Sequence, residues 1–283
     1  MARRWKPHGR RYAEGRKLLK FGAPGPGPAG LLDLRRRDGA KLALFLDFDG
    51  TLLEVAPTPG AAVAPEGLPD LLGELSAALG GALALVTGRE IADLDLRLAP
   101  YRGAAAGVHG AEIRFDPERQ AALRAEALDP AVLEDVRRLA VFEPRLLIED
   151  KGASIAVHFR AAETAEQFLE RKLTDYVAGS RGGLRLLRGR KVFEVLGGGF
   201  SKGEAVARFM AAQPFAGRTP VMIGDDLTDQ PAMQACIALG GFGFAVAGDL
   251  FRADRADFAG PEAVRAWLRE LAALMGDAGG RAP

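Results

Sequence analysis

The chain has 283 residues, 48% of them hydrophobic and 27% charged, and its formal net charge of +1 and its composition predict a globular protein with a sizeable core. No apolar run approaches the roughly 18 residues of a membrane span and no signal-peptide core follows the basic start, so we expect a cytoplasmic protein without a membrane partner. One cysteine, Cys236, excludes an internal disulfide and, with three histidines, argues against a zinc site.

The N-terminus differs in composition from the rest of the chain. Residues 1–20 hold eight lysine or arginine residues against Glu14 alone, and Gly22 to Gly30 alternates Gly, Ala and Pro as flexible linkers do. The remainder is mildly acidic, which gives nucleic-acid binding no support. We expect residues 1–38 to form a basic, poorly ordered N-terminal extension.

The first predicted strand leads directly into two carboxylates. The apolar run Leu42 to Leu46 indicates a strand that is covered on both faces, and Asp47 and Asp49 follow where ligands bind in parallel α/β sheets. Strand-like spacing sends both side chains toward the same side, where they repel unless a cation lies near. Oxygen ligands beside a Gly-Thr turn suit Mg²⁺ with a phosphate, and a solvated turn is the alternative.

Further strands and helices alternate along the next part of the chain. Leucines from Leu68 to Leu79 at helical spacing predict a helix, and Ala82 to Val86 predicts a strand that ends at Thr87. A helix with Ile91, Leu94 and Leu98 and a strand at Ala104 to Val108 follow. This alternation is typical of a parallel α/β sheet.

From about residue 115 the pattern changes. It predicts a helix from Pro130, a strand at Ser154 to Phe159, a helix through Leu169, and a hairpin of Leu184 to Leu187 with Lys191 to Leu196. Parallel alternation then resumes with a helix near Lys202, a strand at Thr219 to Ile223, a helix at Pro231, a strand at Phe244 to Val246 and a last helix through Trp267. We therefore predict an α/β core interrupted by an inserted α+β domain.

The predicted strand ends carry the groups that phosphoryl transfer needs. Asp47 can be the nucleophile, because a carboxylate needs no deprotonation. Asp49 can protonate the leaving oxygen and later deprotonate a water molecule. Thr87 and Lys202 can hold phosphoryl oxygens, and Asp225 can complete the metal site. Taken alone, Thr87 before a glycine is typical of a turn and Lys202 at a helix start is typical of a solvated side chain.

These residues, taken in chain order, resemble the four motifs of the haloacid-dehalogenase-like phosphatases. The motifs are Asp47-Phe-Asp49-Gly-Thr51, Thr87, Lys202, and Gly224-Asp225-Asp226 with Asp229. The resemblance implies a Rossmannoid core of residues 39–115 and 197–283, a cap domain of residues 116–196, and an aspartyl-phosphate intermediate. It implies Mg²⁺ held by Asp47, the main-chain carbonyl of Asp49, and Asp225, with Asp226 and Asp229 supporting these ligands and with Gly88 beside Thr87 at the phosphate.

A finer resemblance is to the trehalose-6-phosphate phosphatases. It is carried by Thr87-Gly-Arg89, His109-Gly-Ala-Glu112, Glu149-Asp-Lys151, Lys191-Val-Phe-Glu194 and Gly-Asp-Asp-Leu-Thr-Asp229. It implies substrate contacts from Arg89, His109, Glu112, Glu149, Lys151 and Glu194, with Glu149 and Lys151 on one face of a cap strand. The chain departs from the family at Gln230 and Met233, where a glutamate and then an aromatic residue are usual.

The resulting hypothesis is a monomeric, Mg²⁺-dependent hydrolase that converts trehalose 6-phosphate to trehalose and phosphate in trehalose biosynthesis, without a nucleic-acid partner. One alternative is a phosphatase for another sugar phosphate, such as sucrose phosphate or mannosylglycerate phosphate. The other is a phosphosugar-binding protein that has lost turnover.

Overall fold

The computed structural model describes residues 27–123, 125–180, 183–248 and 250–279. Its α-helices are α1 (Pro28–Asp38), α2 (Leu68–Ala78), α3 (Ile91–Leu98), α4 (Pro130–Ala140), α5 (Glu166–Gly179), α6 (Lys202–Met210), α7 (Gln230–Ala238) and α8 (Pro261–Gly279). Its strands are β1 (Leu42–Leu46), β2 (Leu83–Val86), β3 (Ala104–Gly107), β4 (Glu112–Arg114), β5 (Ala122–Leu123), β6 (Leu147–Asp150), β7 (Ser154–His158), β8 (Arg185–Gly189), β9 (Val192–Leu196), β10 (Thr219–Gly224) and β11 (Phe242–Ala245).

The larger sheet has the strand order β11-β10-β1-β2-β3-β4-β5. The pairs from β11 to β3 are parallel, whereas β4 and β5 add an antiparallel edge. Every residue of β1 is buried, as its unbroken apolar run predicted, because helices cover both faces of a parallel sheet. The α/β fold is therefore confirmed, and the carboxyl ends of β10, β1 and β2 lie side by side.

The smaller sheet is antiparallel, with the order β6-β7-β9-β8. Together with helices α4 and α5 it encloses a hydrophobic cluster of its own, centred on Phe159, Leu169 and Phe193. The rings of Phe159 and Phe193 stack with centroids 4.9 Å apart. We call β6 to β9 with α4 and α5 the cap unit. The boundaries of the inserted domain, residues 116 and 196, stay a prediction.

The expected extension is too long at its C-terminal end. Residues 28–38 form helix α1, in which Leu31 and Leu32 are buried in the main core. The indole nitrogen of Trp267 donates a hydrogen bond to the carbonyl oxygen of Pro28 at 2.9 Å. The expectation of a poorly ordered segment is thus wrong for residues 28–38, and its part over residues 1–26 lies outside the described residues.

The cap strand expected to carry both Glu149 and Lys151 is a hairpin. Strand β6 ends at Asp150, Lys151 lies in the turn, and Gly152 at φ 70° reverses the chain into β7. Lys151 therefore does not share a strand face with Glu149, although its Nζ lies 3.9 Å from Glu149 Oε2. Each position of β6 is partly or fully exposed, so apolar alternation gave no signal for this strand.

Within the described part of the chain, none of the helices has both the length and the apolar character needed to cross a bilayer.

Candidate active site

The predicted catalytic groups meet at the carboxyl ends of three neighbouring strands. Asp47 follows β1, Thr87 follows β2 and Asp225 follows β10, and all three line one cavity. The first turn of α6 adds Lys202 to the same wall. The cap unit covers the cavity from the other side and contributes Glu194 among its lining residues. The structure therefore brings together groups that lie far apart in sequence.

Lys202 joins two buried carboxylates at the floor of the cavity. Its Nζ lies 2.7 Å from Asp47 Oδ1 and 2.6 Å from Asp229 Oδ1, and all three side chains are buried. Burial and then the charge of Asp229 raise the pKa of Asp47 to about 6, although Lys202 acts in the opposite direction. The two carboxylates raise the pKa of Lys202 against the effect of its burial, so the amine is a fixed positive charge.

Asp229 organises the loop that follows β10. Its Oδ2 accepts hydrogen bonds from the main-chain amides of Asp225, at 3.1 Å, and of Asp226, at 3.0 Å. Its Oδ1 is bound by Lys202. Both oxygens thus have partners within the protein, and the support of metal ligands that the resemblance implied for Asp229 stays a prediction.

The acidic cluster fits a divalent cation. Oxygens of Asp47, Asp225 and Asp229 lie within 4.8 Å of one another. Burial and then the charge of Asp47 raise the pKa of Asp225 well above its usual range, so a cation there would relieve a real electrostatic cost. Gly50, at φ 83°, permits this packing, because a Cβ atom there would lie 2.2 Å from Asp225 Oδ2. Hard oxygen donors of this kind suit Mg²⁺.

Arg89 lines the cavity and holds Asp49 there. Its Nε lies 2.5 Å from Asp49 Oδ2 and its Nη2 lies 2.7 Å from Asp49 Oδ1, which makes a bidentate pair. Its Nη1 contacts Asp93 at 2.6 Å. Its guanidinium group thus binds the expected acid/base residue, and the expected substrate contact of Arg89 stays a prediction. Asp93 was not predicted as a site residue, although its position four residues after Arg89 at the start of α3 was a usable signal.

A tight turn after β3 places His109 against the second motif. Val108 and His109 adopt φ values of 46° and 54°, a left-handed conformation that is costly for residues with side chains. The amide of His109 donates to the carbonyl oxygen of Thr87 at 3.0 Å. Gly88 is required beside the ring, because a Cβ atom there would lie 2.7 Å from His109 Nε2.

Glu194 joins the cap unit to the core. Its Oε1 lies 2.5 Å from Lys151 Nζ and its Oε2 lies 2.6 Å from His109 Nε2. Burial opposes its ionisation, yet His109 and then Lys151 hold the pKa of Glu194 well below its usual range. Lys151 also donates to the carbonyl oxygen of Gly88 at 3.0 Å. The predicted sugar contacts of the cap therefore lie at the interface with the core.

Comparison with known proteins agrees with this arrangement. Residues 45–238 match the family model described as trehalose-phosphatase. The chain belongs to the trehalose-phosphatase family.

Similar members of the family come from bacteria. A probable trehalose-phosphate phosphatase of Sinorhizobium fredii is 40% identical over 205 residues, which cover 72% of this chain and 77% of the relative. The trehalose-6-phosphate phosphatase of Escherichia coli is 38% identical over 203 residues, covering 71% and 76%. Among solved structures, the C-terminal domain of Candida albicans trehalose-6-phosphate phosphatase matches with a TM-score of 0.74 at 20% identity, covering 88% of this chain and 97% of that domain.

Within this member of the trehalose-phosphatase family, Glu112 does not line the cavity. Its Oε2 accepts a hydrogen bond from the amide of Ile91 at 2.7 Å, which satisfies a donor at the first turn of helix α3. The expected substrate contact of Glu112 is thus replaced by a structural contact. Glu149 does line the cavity, where its Oε2 lies 3.0 Å from His158 Nε2.

Asp226 faces the cap unit in this trehalose-phosphatase family member. Its Oδ2 accepts a hydrogen bond from the main-chain amide of Arg190 at 2.9 Å, and its Oδ1 accepts one from Leu227 at 2.6 Å. It was expected to support the metal ligands. The turn between the cap strands was predicted, but Arg190 was not predicted as a cavity residue, because hairpin spacing does not reveal what the turn contacts.

Proposed function

We propose that this chain hydrolyses trehalose 6-phosphate to trehalose and phosphate. Membership of the trehalose-phosphatase family supports the substrate, since the E. coli relative carries that activity in its name. One observation supports phosphoryl transfer as the reaction. The buried carboxylate of Asp47, at the end of the central strand, contacts Lys202 and lies beside Asp225. We also propose that the enzyme acts in trehalose biosynthesis. A monomeric state and a cytoplasmic location stay predictions.

The proposed reaction has two displacements at phosphorus. A carboxylate oxygen of Asp47 forms a bond to phosphorus while the bond from phosphorus to the sugar oxygen breaks, and Asp49 gives that oxygen a proton. Asp49 then takes a proton from water, whose oxygen displaces Asp47 and releases phosphate. Lys202 stabilises the transferring group with its fixed charge, and Thr87 is placed to contact the phosphoryl oxygens. Arg89 binds both carboxylate oxygens of Asp49, so one of these contacts must open before Asp49 can carry the proton that it donates.

Asp47 and Asp225, with the main-chain carbonyl of Asp49, are the proposed holders of Mg²⁺. Asp229 lies in the same acidic cluster, but its oxygens are already bound by Lys202 and by two amides. When bound, the ion supplies positive charge that neutralises the phosphate and the clustered carboxylates. These residues fix where that charge is held.

Magnesium is expected to raise the thermal stability of the protein. At a concentration one hundred times the dissociation constant, binding to the folded state alone contributes about 2.7 kcal/mol. Differential scanning fluorimetry with and without Mg²⁺ measures the shift. Asp225→Asn should abolish it, whereas Asp175→Asn, an exposed change on α5, should keep it. An equal shift in both variants would place the ion elsewhere.

The sugar is proposed to bind between the core and the cap unit. Glu194 contacts Lys151 and His109 there, and these groups can exchange their contacts for sugar hydroxyl groups. Glu149 contacts His158 on the same side of the cavity. Ionised groups make stronger hydrogen bonds to hydroxyls than neutral groups do, which favours a polyhydroxylated substrate.

Glu194→Gln tests this assignment. Loss of a charge-assisted hydrogen bond should lower kcat/KM for trehalose 6-phosphate by about 10- to 100-fold. The kcat/KM for glucose 6-phosphate should fall less. We expect Glu194 to contact the second glucose unit of trehalose 6-phosphate, which glucose 6-phosphate does not have. The matched control Glu163→Gln changes an exposed cap glutamate that contacts Lys191 and should behave as the parent does. Unchanged preference in Glu194→Gln would remove the assigned role.

Phosphate release decides the function itself. Trehalose 6-phosphate should be hydrolysed far faster than glucose 6-phosphate, sucrose phosphate or mannosylglycerate phosphate at equal concentrations. Preference for one of the others would identify a phosphatase for a different sugar. Tight binding of trehalose 6-phosphate without release from any of them would identify a binding protein.

A further inference from the structure

The turn between β8 and β9 connects the cap unit to the catalytic loop of the core. The amide of Arg190 in this turn donates to Asp226 Oδ2 at 2.9 Å, so the main chain of the cap is bound directly to the loop that follows β10. Gly189 also packs against Asp226, since a Cβ atom there would be 3.2 Å from the same oxygen. The position of this turn is thus fixed by Asp226.

This docking carries the Arg190 side chain into the cavity. Its Nη1 lies 3.8 Å from Asp225 Oδ2, and Arg190 is one of the residues that line the cavity. Asp225 in turn has an oxygen within 4.8 Å of an oxygen of Asp47, the proposed nucleophile. Arg190 therefore lies at the phosphoryl end of the cavity, whereas Lys151 and Glu194 lie at the interface with His109.

The charge balance at this end favours a cation from the cap. The core cations Lys202 and Arg89 each contact two carboxylates already. A phosphate monoester brings roughly two further negative charges at neutral pH. A guanidinium group presents a planar fork of donors that matches two phosphoryl oxygens, and it remains charged at any working pH.

We propose that Arg190 is a catalytic residue that binds the phosphoryl oxygens of the substrate, and that Asp226 is the residue that positions it. The inference rests on the proposed phosphatase function and deepens it. It assigns to the cap unit a part in binding the reacting group, in addition to its part in binding sugar. Closure of the cap and neutralisation of the phosphate are then one event, because the same turn makes the contact with Asp226 and supplies the charge.

The test compares Arg190→Gln with Lys191→Gln. Both remove one positive charge from the same turn, but Lys191 contacts Glu163, whereas Arg190 approaches Asp225. Calorimetric binding of orthovanadate, a phosphate analogue, in the presence of Mg²⁺ should be about 10- to 100-fold weaker for Arg190→Gln than for the parent. Lys191→Gln should bind it as the parent does. Trehalose should bind equally well to all three proteins.

Asp226→Ala tests the positioning role. In that background Arg190→Gln should weaken vanadate binding much less than in the parent, because the turn is already released. Asp226→Asn retains an acceptor oxygen and should recover part of the affinity. If the effects of Asp226→Ala and Arg190→Gln on vanadate affinity are additive, the positioning role of Asp226 is contradicted. A similar loss of thermal stability in all variants would identify misfolding instead.

Vanadate affinity in Arg190→Gln equal to that of the parent would overturn the proposal for Arg190. Tighter Mg²⁺ binding in the same variant would then identify Arg190 as a competitor of the metal. Failure of the proposed function is distinguishable, since it would show as absent hydrolysis of trehalose 6-phosphate by the parent, whatever the vanadate measurements give.

Discussion

Asp47→Asn should reduce the hydrolysis of trehalose 6-phosphate by about 10⁴-fold or more, because an amide cannot form the phosphoryl-enzyme bond. The loss should appear in kcat, with little change in the affinity for substrate, since Lys202 and the cap contacts remain. Phosphate release measures the first quantity and calorimetry with trehalose 6-phosphate measures the second. Asp175→Asn, the same chemical change on the exposed surface of α5, is the activity control.

The same variant should remain fully folded. Burial and the charge of Asp229 raise the pKa of Asp47 to about 6 in the absence of metal, above the ordinary value of 3.8. A carboxylate whose pKa is raised by folding destabilises the protein as pH rises through the folded pKa. The neutral amide avoids this cost, so the melting temperature at pH 8 without Mg²⁺ should equal or exceed that of the parent. Residual turnover near the parental rate would exclude Asp47 as the nucleophile.

The core of the fold could be predicted because its strands are buried on both faces. The run Leu42 to Leu46 is apolar at each position, and the structure buries each position. The apolar pattern did not predict strand β6 or helix α1, for two different reasons. The first is an exposed edge strand, and the second combines buried Leu31 and Leu32 with a charged segment that composition alone assigns to a tail.

The residues of the candidate site could be predicted, but the contacts between their side chains could not. Asp47, Thr87, Lys202 and Asp225 converge because parallel strand ends converge, and sequence order is enough to infer that. No spacing rule says that Arg89 contacts Asp49. Such pairs depend on rotamers and on the approach of the cap.

Contacts between distant segments account for the remaining differences. The carboxylate of Asp226 accepts a hydrogen bond from the main-chain amide of Arg190, which lies 36 residues earlier in the chain. Glu112 lies within a motif that resembles a substrate-binding one, yet its carboxylate satisfies the first turn of α3. In both cases the nearest unsatisfied backbone donor determines the position of the side chain, and that donor becomes known only once the chain is folded.

Lys202→Met should lower both activity and stability. It removes the only charge that contacts Asp47 and Asp229 together among the described residues, and a buried ion pair that loses one partner costs about 3–5 kcal/mol. Urea unfolding at pH 8 measures the loss, and phosphate release should fall by at least about 10²-fold. Arg208→Met removes a charge from the exposed face of the same helix and should change neither quantity appreciably.

The loss of stability in Lys202→Met should itself depend on pH. Burial already raises the pKa of Asp47 and of Asp229, and removal of the ammonium group must raise both further. Near pH 5 the folded variant can protonate these carboxylates at little cost, whereas at pH 8 the unfolded chain keeps them ionised and is favoured. The difference in unfolding free energy between parent and variant should therefore grow from pH 5 to pH 8. A difference that stays constant over this range would mean that Lys202 acts by packing rather than by its charge.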